Sequence, residues 1–343
     1  MKAVRFLGNE NVVIDSVSDP KPNENEVVVQ IKASALCRSD LSIYHGVPVL
    51  DKINTGNFIP GHEPCGVVYA LGKGVNKNVL KEDDRVAIYL AIGCGHCHFC
   101  LMGYQMLCRD WKCIGFDIDG GHAEYIKIPA INCLKLPSEM DFIDGALSTD
   151  KLGTLYHAQS KVGISSKDTV VIFGIGPMGG AGIMVAKALG AYIIAVDVLD
   201  SRLRLAKEIG ADLVINPSQE NTQEVIAEIT KRNLAGFAID CSGNTKAENS
   251  ALNCIKPFGT TIFIGENKNC TINPSDQLIR KEVTLIGSWY FPIWQYKEIT
   301  RFITEKNIPL QKTITHAFHL DQAKEAYELF DKRETGAVVI VNE

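Results

Sequence analysis

Four cysteines crowd one short stretch of this chain: Cys94, Cys97, Cys100 and Cys108 in GCGHCHFCLMGYQMLC, spaced C-x2-C-x2-C-x7-C. Four thiolates on one loop match a closed tetrahedral zinc site, which holds a lobe in shape rather than doing chemistry. A redox pair or a disulfide cluster is the plainer alternative, but four cysteines within 15 positions exceed what a CxxC redox motif needs. An iron–sulfur cluster also takes four cysteines, usually at other spacings. His96 and His98, between the thiolates, read as exposed loop residues. A second set is scattered: Cys37 in ALCRSD, and His62 with Glu63 in PGHEP. One thiolate, one imidazole and one carboxylate, with a position left for water or substrate, is what a catalytic zinc needs. Taken singly, each has an ordinary role: Cys37 as a small core residue, His62 as a satisfied histidine, Glu63 as a surface charge. Spacing alone does not join them.

A third constellation runs through TVVIFGIGPMGGAGIMVAKALGAYIIAVD, residues 169–197. Residues 169–173 are β-branched and aromatic without polar alternation, as in a strand buried on both faces of a parallel sheet. Gly174, Gly176 and Gly179 form a G-x-G-x-x-G that opens a helix, with Pro177 setting φ at its first turn and Met178 its first apolar position. Small residues there let a backbone approach a pyrophosphate, whose charge sits on the helix N-terminus. A second apolar run delivers Asp197, 23 positions after Gly174, where a dinucleotide fold sets the acid that hydrogen-bonds the adenosine ribose. That carboxylate repels a 2′-phosphate, so NAD is expected over NADP; Arg202, five positions on, softens the preference. A bare glycine fingerprint is weak, but the complete strand, turn, helix, strand and acid is strong.

These groups need two kinds of scaffold. Residues 1 to about 150 read as β-rich, with β-branched runs at 11–17, 26–33, 64–71, 84–88 and 122–128 between Gly, Pro, Asn and Asp clusters. After Ser148 the pattern changes to α/β: helical spacing at 152–162, 177–189, 201–209, 221–230 and 245–255 alternates with apolar runs at 169–173, 191–196, 213–215, 237–240 and 260–264. This is a doubly wound parallel sheet. Residues 285–289 read as its last strand, 294–305 and 321–331 as helices, and 337–341 as a closing strand. At 343 residues the chain can bury about two separate cores. A net charge of -5 with no basic block argues against nucleic-acid binding. No apolar stretch reaches membrane-spanning length, and the strand-like start is not a signal sequence, so a cytoplasmic protein with no membrane partner is expected. Eleven cysteines in such a chain read as thiols and metal ligands.

C-R-S-D at 37–40, G-H-E at 61–63, the four-cysteine lobe, G-G-H-A-E-Y at 120–125, the glycine fingerprint and Arg280-Lys281-Glu282 to Gly287-Ser288 occur together in this chain. In combination they resemble the zinc-containing alcohol dehydrogenases of the medium-chain dehydrogenase/reductase superfamily, closest to the sorbitol, threonine and butanediol dehydrogenase branch. The resemblance runs nearly end to end. It implies a GroES-like catalytic domain over 1–150 with its zinc lobe near 94–108, a Rossmann NAD-binding domain over 151–287, and a segment 288–343 completing the catalytic domain. It also implies two zinc ions per chain. Cys37 and His62 would ligate the catalytic zinc, with Glu63 as a ligand or close neighbour. Asp150 stands where relatives place a cysteine or glutamate ligand; the shorter aspartate would bind directly, bind through water, or leave the site more open. Asp40 would orient His62, and Arg38 would reach the pyrophosphate. Gly243, Gly265 and Ser288 would approach the cofactor, although plain strand-ending glycines explain the first two equally well. Ser39 matches the hydroxyl residue that begins proton removal. Many relatives complete that relay with a histidine five positions after the cysteine. Here that position is Ser42, so water or His45 would end it.

The activity so implied is hydride transfer from a polyol, diol or sugar-like secondary alcohol to NAD, with zinc favouring loss of the hydroxyl proton. A simple alcohol or a threonine-type amino alcohol is the alternative substrate. Lining is expected from Ile43 to Pro48, Trp111 to Phe116 and Trp289 to Phe291, with polar groups from Tyr44, His45, Asp51, Lys52 and Asn54. A homodimer or homotetramer pairing across residues 283–289 is expected by analogy. A zinc-free reductase on the same scaffold would have no use for Cys37, His62 and Glu63. A non-catalytic zinc- and nucleotide-binding protein would keep both clusters and turn over no alcohol.

Overall fold

The β-branched run TVVIF forms the strand Thr169–Phe173, which lies in the middle of a six-stranded parallel sheet. Across that sheet the order is Leu213–Ile215, Tyr192–Val196, Thr169–Phe173, Ala235–Asp240, Ile255–Phe263 and Thr284–Gly287. Chain order therefore reverses between Thr169–Phe173 and Ala235–Asp240, the switch point where doubly wound sheets open a ligand crevice beyond their carboxyl ends. Register does the positioning: Phe173 pairs with Val196 on one side and Asp240 on the other, so Gly174, Asp197 and Cys241 leave the sheet at one level. Val171, Phe173, Ile194, Val196, Ile215 and Ala238 form a fully buried core. Truncating Phe173 to alanine there would cost about 3–5 kcal/mol. This unit consists of Lys151–Tyr290 and Ile308–Thr313.

The other unit comprises Met1–Asp150, Phe291–Asn307 and Ile314–Glu343. Its seven-stranded sheet runs Ile314–His319, Ala337–Val341, Glu26–Ala35, Glu63–Leu71, Arg85–Ile88 and Cys133–Lys135, with Tyr125–Pro129 also paired to Glu26–Ala35. All these pairs are antiparallel except Ile314–His319 with Ala337–Val341, which the helix Ala323–Asp331 connects as a crossover. Ala35 pairs with Glu63 in this sheet, so the chain reaches Cys37 beside the strand that carries Glu63.

The structure is a computed structural model that describes residues 1–47 and 58–342. Pro48, Asp51, Lys52 and Asn54 of the expected lining lie outside the described residues. Two seven-residue helices, Arg38–Tyr44 and Phe142–Ser148, interrupt the β-rich half, too short to leave a periodic signal. The strand expected from residue 122 begins only at Tyr125; residues 122–124 instead meet the strand Lys2–Phe6 through an isolated Ala3–Ala123 bridge, and the His122 N–H donates to the Pro60 carbonyl. No helix among the described residues is long and apolar enough to cross a membrane.

Candidate active site

Cys37 is the N-cap of the helix Arg38–Tyr44, its extended backbone carrying on from the strand Glu26–Ala35. Asp40, three residues on, turns its fully buried carboxylate back toward the cap. One oxygen accepts the Cys37 N–H at 2.9 Å and the other lies 3.1 Å from His62 Nδ1. A carboxylate on Nδ1 selects the Nδ1–H tautomer and leaves the Nε2 lone pair aimed the other way. Nε2 lies 3.7 Å from an Asp150 oxygen, and Cys37 Sγ is 3.5 Å from the same oxygen. Asp150 begins the helix Asp150–Val162, and the fully buried Glu63 begins the strand Glu63–Leu71. Donor atoms of Cys37, His62, Glu63 and Asp150 all lie within 4.8 Å of one another.

This set fits a zinc ion. Tetrahedral bonds of about 2.0–2.3 Å put ligand atoms roughly 3.3–3.8 Å apart, and the separations of 3.7 and 3.5 Å at Asp150 fall in that span. Thiolate, imidazole and carboxylate are also donors that zinc accepts together. The electrostatics agree. Burial pushes the Cys37 thiol up, and the Asp150 charge adds to it. Burial opposes a charged His62 ring, but Asp40 and Cys37 outweigh it and hold the ring well above its ordinary range. Burial likewise opposes the Asp40 charge, and His62 overrides it and lowers the carboxyl. Three carboxylates and a thiol around one imidazole make a site that favours a divalent cation.

The cysteine lobe differs in kind. Cys97 caps the short helix His98–Leu101, which carries Cys100. The Cys97 N–H donates to Cys94 Sγ at 3.4 Å and the Cys94 N–H to Cys108 Sγ at 3.5 Å. Cys94 and Cys100 sulfurs are 3.9 Å apart, close to the roughly 3.8 Å that tetrahedral zinc–thiolate bonds require. Backbone N–H groups of His96 and Cys97 draw the Cys94 thiol down to about 6, while burial pushes Cys100 up to about 12. His96 is exposed and turns its ring to the Cys94 carbonyl.

At the glycine loop, packing and ligand space separate cleanly. A Cβ on Gly174, at φ +81°, would lie 2.6 Å from Ser242 Cβ, and one on Gly179 would lie 2.1 Å from the Gly174 carbonyl oxygen. Gly176 caps the helix Pro177–Ala188, and the nearest atoms a Cβ there would meet are those of the Arg202 guanidinium, at 4.0 Å. That leaves an open cradle at a helix N-terminus, with Pro177 and Met178 as the helix's first two residues. The Asp197 carboxylate accepts the Ile175 N–H at 2.6 Å and the Leu199 N–H at 3.0 Å, and Arg202 stands 3.5 Å away. Asp197 therefore also ties down the loop, a role that spacing did not reveal. Gly243 and Gly265 pack on each other, a Cβ on Gly265 falling 2.1 Å from the Gly243 nitrogen, so close backbone approach accounts for both. The Ser288 N–H donates to the Phe263 carbonyl, while buried Ser288 Oγ and Arg202 Nε have no hydrogen-bond partner among the described residues. An open cradle and two orphaned polar atoms fit a dinucleotide.

Several expected roles change in the structure. Tyr44 is buried in an aromatic stack with Tyr327 rather than offering a hydroxyl to substrate. His45 is held on both ring nitrogens, by Glu10 at 3.0 Å and Asp331 at 2.8 Å. An imidazole so held has no lone pair left to receive a relayed proton. Arg38 is exposed and Ser39 half-buried on the first turn after Cys37. Phe116, of the expected lining, packs its ring 5.1 Å from that of His62. A depression of about 640 Å³ beside Lys167, Tyr192 and Lys256 lies at the amino ends of the parallel strands and holds none of these residues. Sequence reasoning missed the packing of Tyr327 against His122 and Tyr44, next to the segments that carry His62 and Cys37. His122 was visible only as a motif letter, and Tyr327 as one apolar position of a helix.

Residues 23–138 match the alcohol dehydrogenase GroES-like domain and residues 177–305 the zinc-binding dehydrogenase domain. An uncharacterized zinc-type alcohol dehydrogenase-like protein of Escherichia coli K12, YphC, is 35% identical over 99% of this chain and 98% of its own length. The L-threonine 3-dehydrogenase of Pyrococcus horikoshii is 33% identical, covering 99% of this chain and 97% of that protein. Among solved structures, the alcohol dehydrogenase rspB of E. coli CFT073, complexed with NADH, superposes with a TM-score of 0.90 at 26% identity, covering 100% of this chain and 99% of that one.

Proposed function

This chain belongs to the zinc-type alcohol dehydrogenases, and on that premise we propose that it oxidises a secondary alcohol with NAD, releasing a ketone, NADH and a proton. The observation that carries the reading is the convergence of Cys37, His62, Glu63 and Asp150 within 4.8 Å. Cys37, His62 and Asp150 hold the catalytic zinc, with the Glu63 carboxylate beside it. Cys94, Cys97, Cys100 and Cys108 hold the second ion. When bound, zinc supplies Lewis acidity at the alcohol oxygen and the nicotinamide supplies the hydride acceptor. Asp40 keeps His62 in the tautomer and orientation that ligation needs. Ser39 takes the hydroxyl proton and hands it to water.

In the nucleotide unit, Gly174, Gly176, Pro177, Met178 and Gly179 receive the pyrophosphate. Asp197 faces the adenosine ribose, where its charge disfavours a 2′-phosphate, and Arg202 moderates that exclusion. Gly243, Gly265 and Ser288 border the rest of the cofactor, and Arg38 supplies a charge for its phosphates. The substrate we infer is a polyol, diol or sugar-like alcohol. A threonine-type amino alcohol is the second reading, favoured by likeness to a threonine dehydrogenase. Thr284–Gly287 is an edge strand, which supports pairing with a second copy in a homodimer or tetramer.

The test is NADH formation by zinc-loaded protein on a panel of polyols, diols, simple secondary alcohols and threonine, repeated with NADP. Turnover on polyols or diols with NAD is expected. Equal use of NADP would remove Asp197 as a selector, and silence on every alcohol would overturn the reading.

A further inference from the structure

The two ligand-bearing segments of the catalytic unit share one support. Tyr327, on the helix Ala323–Asp331, is fully buried and its hydroxyl lies 2.7 Å from His122 Nδ1. The His122 ring occupies the space beside Gly61, whose φ is +94°. A Cβ on Gly61 would fall 2.4 Å from His122 Cδ2, so the ring bears directly on the residue before His62. The backbone there is clamped as well: the N–H groups of Gly120, Gly121 and His122 donate to the carbonyls of Ile59, Gly61 and Pro60 at 2.7, 2.7 and 2.9 Å. On its other side the Tyr327 ring stacks on Tyr44, 5.9 Å between centroids at 18°, and Phe6 closes the stack edge-on at 4.8 Å from Tyr327. Tyr44 ends the helix that Cys37 caps.

We propose that Tyr327 is a positioning residue for the metal centre. Through Tyr44 it seats the helix that begins at Cys37, and through His122 it seats the turn that ends at His62. The thiol-to-imidazole spacing thereby depends on one side chain from the C-terminal segment. A seven-residue helix spans only about 10 Å, so tilting at Tyr44 is carried to the cap. Removing the Tyr327 hydroxyl would also leave the buried Nδ1 of His122 without this partner and free its ring to turn against Gly61.

The inference rests on the zinc reading above, and its test reads the metal rather than turnover. Zinc affinity is measured by competition with a chromophoric chelator. Cobalt(II) absorption is recorded as the difference from Cys37→Ser protein, so that the lobe cancels. Tyr327→Phe removes only the hydroxyl and is expected to weaken zinc binding about 10-fold; Tyr327→Leu, which also removes the stack, is expected to approach 100-fold. The cobalt bands should shift in both. His122→Phe, which keeps a ring against Gly61 but no hydrogen bond, should resemble Tyr327→Phe. If unmodified protein binds two zinc ions and these variants keep its affinity and cobalt spectrum while only their melting temperatures fall, Tyr327 is merely structural and the inference is overturned. If unmodified protein binds zinc only at the lobe, the zinc reading and the inference fall together. Should Tyr327→Leu not fold, Tyr327→Phe decides.

Discussion

The two cysteine-containing clusters are built on opposite plans. The lobe takes four identical donors from a 15-residue stretch, and its partners include N–H groups of the same loop. The other cluster takes unlike donors from positions as far apart as 37 and 150, and Asp40, which orients His62, is itself fully buried. A loop that closes on itself needs little beyond its metal, and a closed thiolate set leaves no ligand position for chemistry. An open mixed site needs the surrounding fold to hold each donor at its angle. The contrast predicts that damage to the first is felt as stability and damage to the second as catalysis.

The sharpest break of that contrast would come from Cys37→Ser. Losing the thiolate should lower turnover by roughly 10³-fold or more, since a Lewis-acid metal supplies several kcal/mol to such a barrier. Zinc content should fall by one per chain with little change in melting temperature; full activity with one zinc would show that the mixed site is not catalytic. Cys100→Ser should do the reverse. Loss of a lobe ligand should lower the melting temperature by roughly 5 °C or more, while turnover of the folded protein at low temperature stays within a few-fold. Unchanged stability with lost activity would invert the two assignments.

The smallest effect concerns the far end of the Cys37 helix, where His45 stands between Glu10 and Asp331. Its hydrogen bond to Asp331 raises the ring's pKa, against the opposing effect of burial, and the Asp331 and Glu10 charges add to the rise. A raised folded value stabilises the protein fully below the unfolded pKa of about 6.5 and loses that contribution as pH climbs through the folded value. His45→Ala should therefore cost under about 1 kcal/mol at pH 5–6, and less at pH 8, measured by denaturant titration. Turnover should keep its pH profile; a changed profile would return His45 to the proton relay.

How much of this was readable in the residues depends on distance along the chain. The lobe, the glycine fingerprint and Asp197 are local, because a loop that wraps a metal or a strand–turn–helix unit must spell its donors within a few turns of backbone. The alternation of buried strands and helices after Ser148 was equally plain, since strands covered on both faces leave unbroken apolar runs. The mixed cluster was legible only as isolated letters that a family likeness joined. The short helices Arg38–Tyr44 and Phe142–Ser148 left no trace in hydrophobic period, although the first carries the cap that presents Cys37.

By itself the sequence determined the two kinds of scaffold, the closed cysteine set and the acid that ends the second parallel strand, because each is encoded by short-range periodicity and turn chemistry. Tertiary structure alone decided that Asp150 stands within tetrahedral spacing of Cys37 and His62, that Asp197 also ties the glycine loop, and that Tyr44 belongs to a stack rather than to a substrate pocket. The hydrogen bond from Tyr327 to His122 joins residues 205 positions apart. Such contacts arise when strand register and helix packing bring remote segments to one point, and no local pattern of residues records where that point will fall.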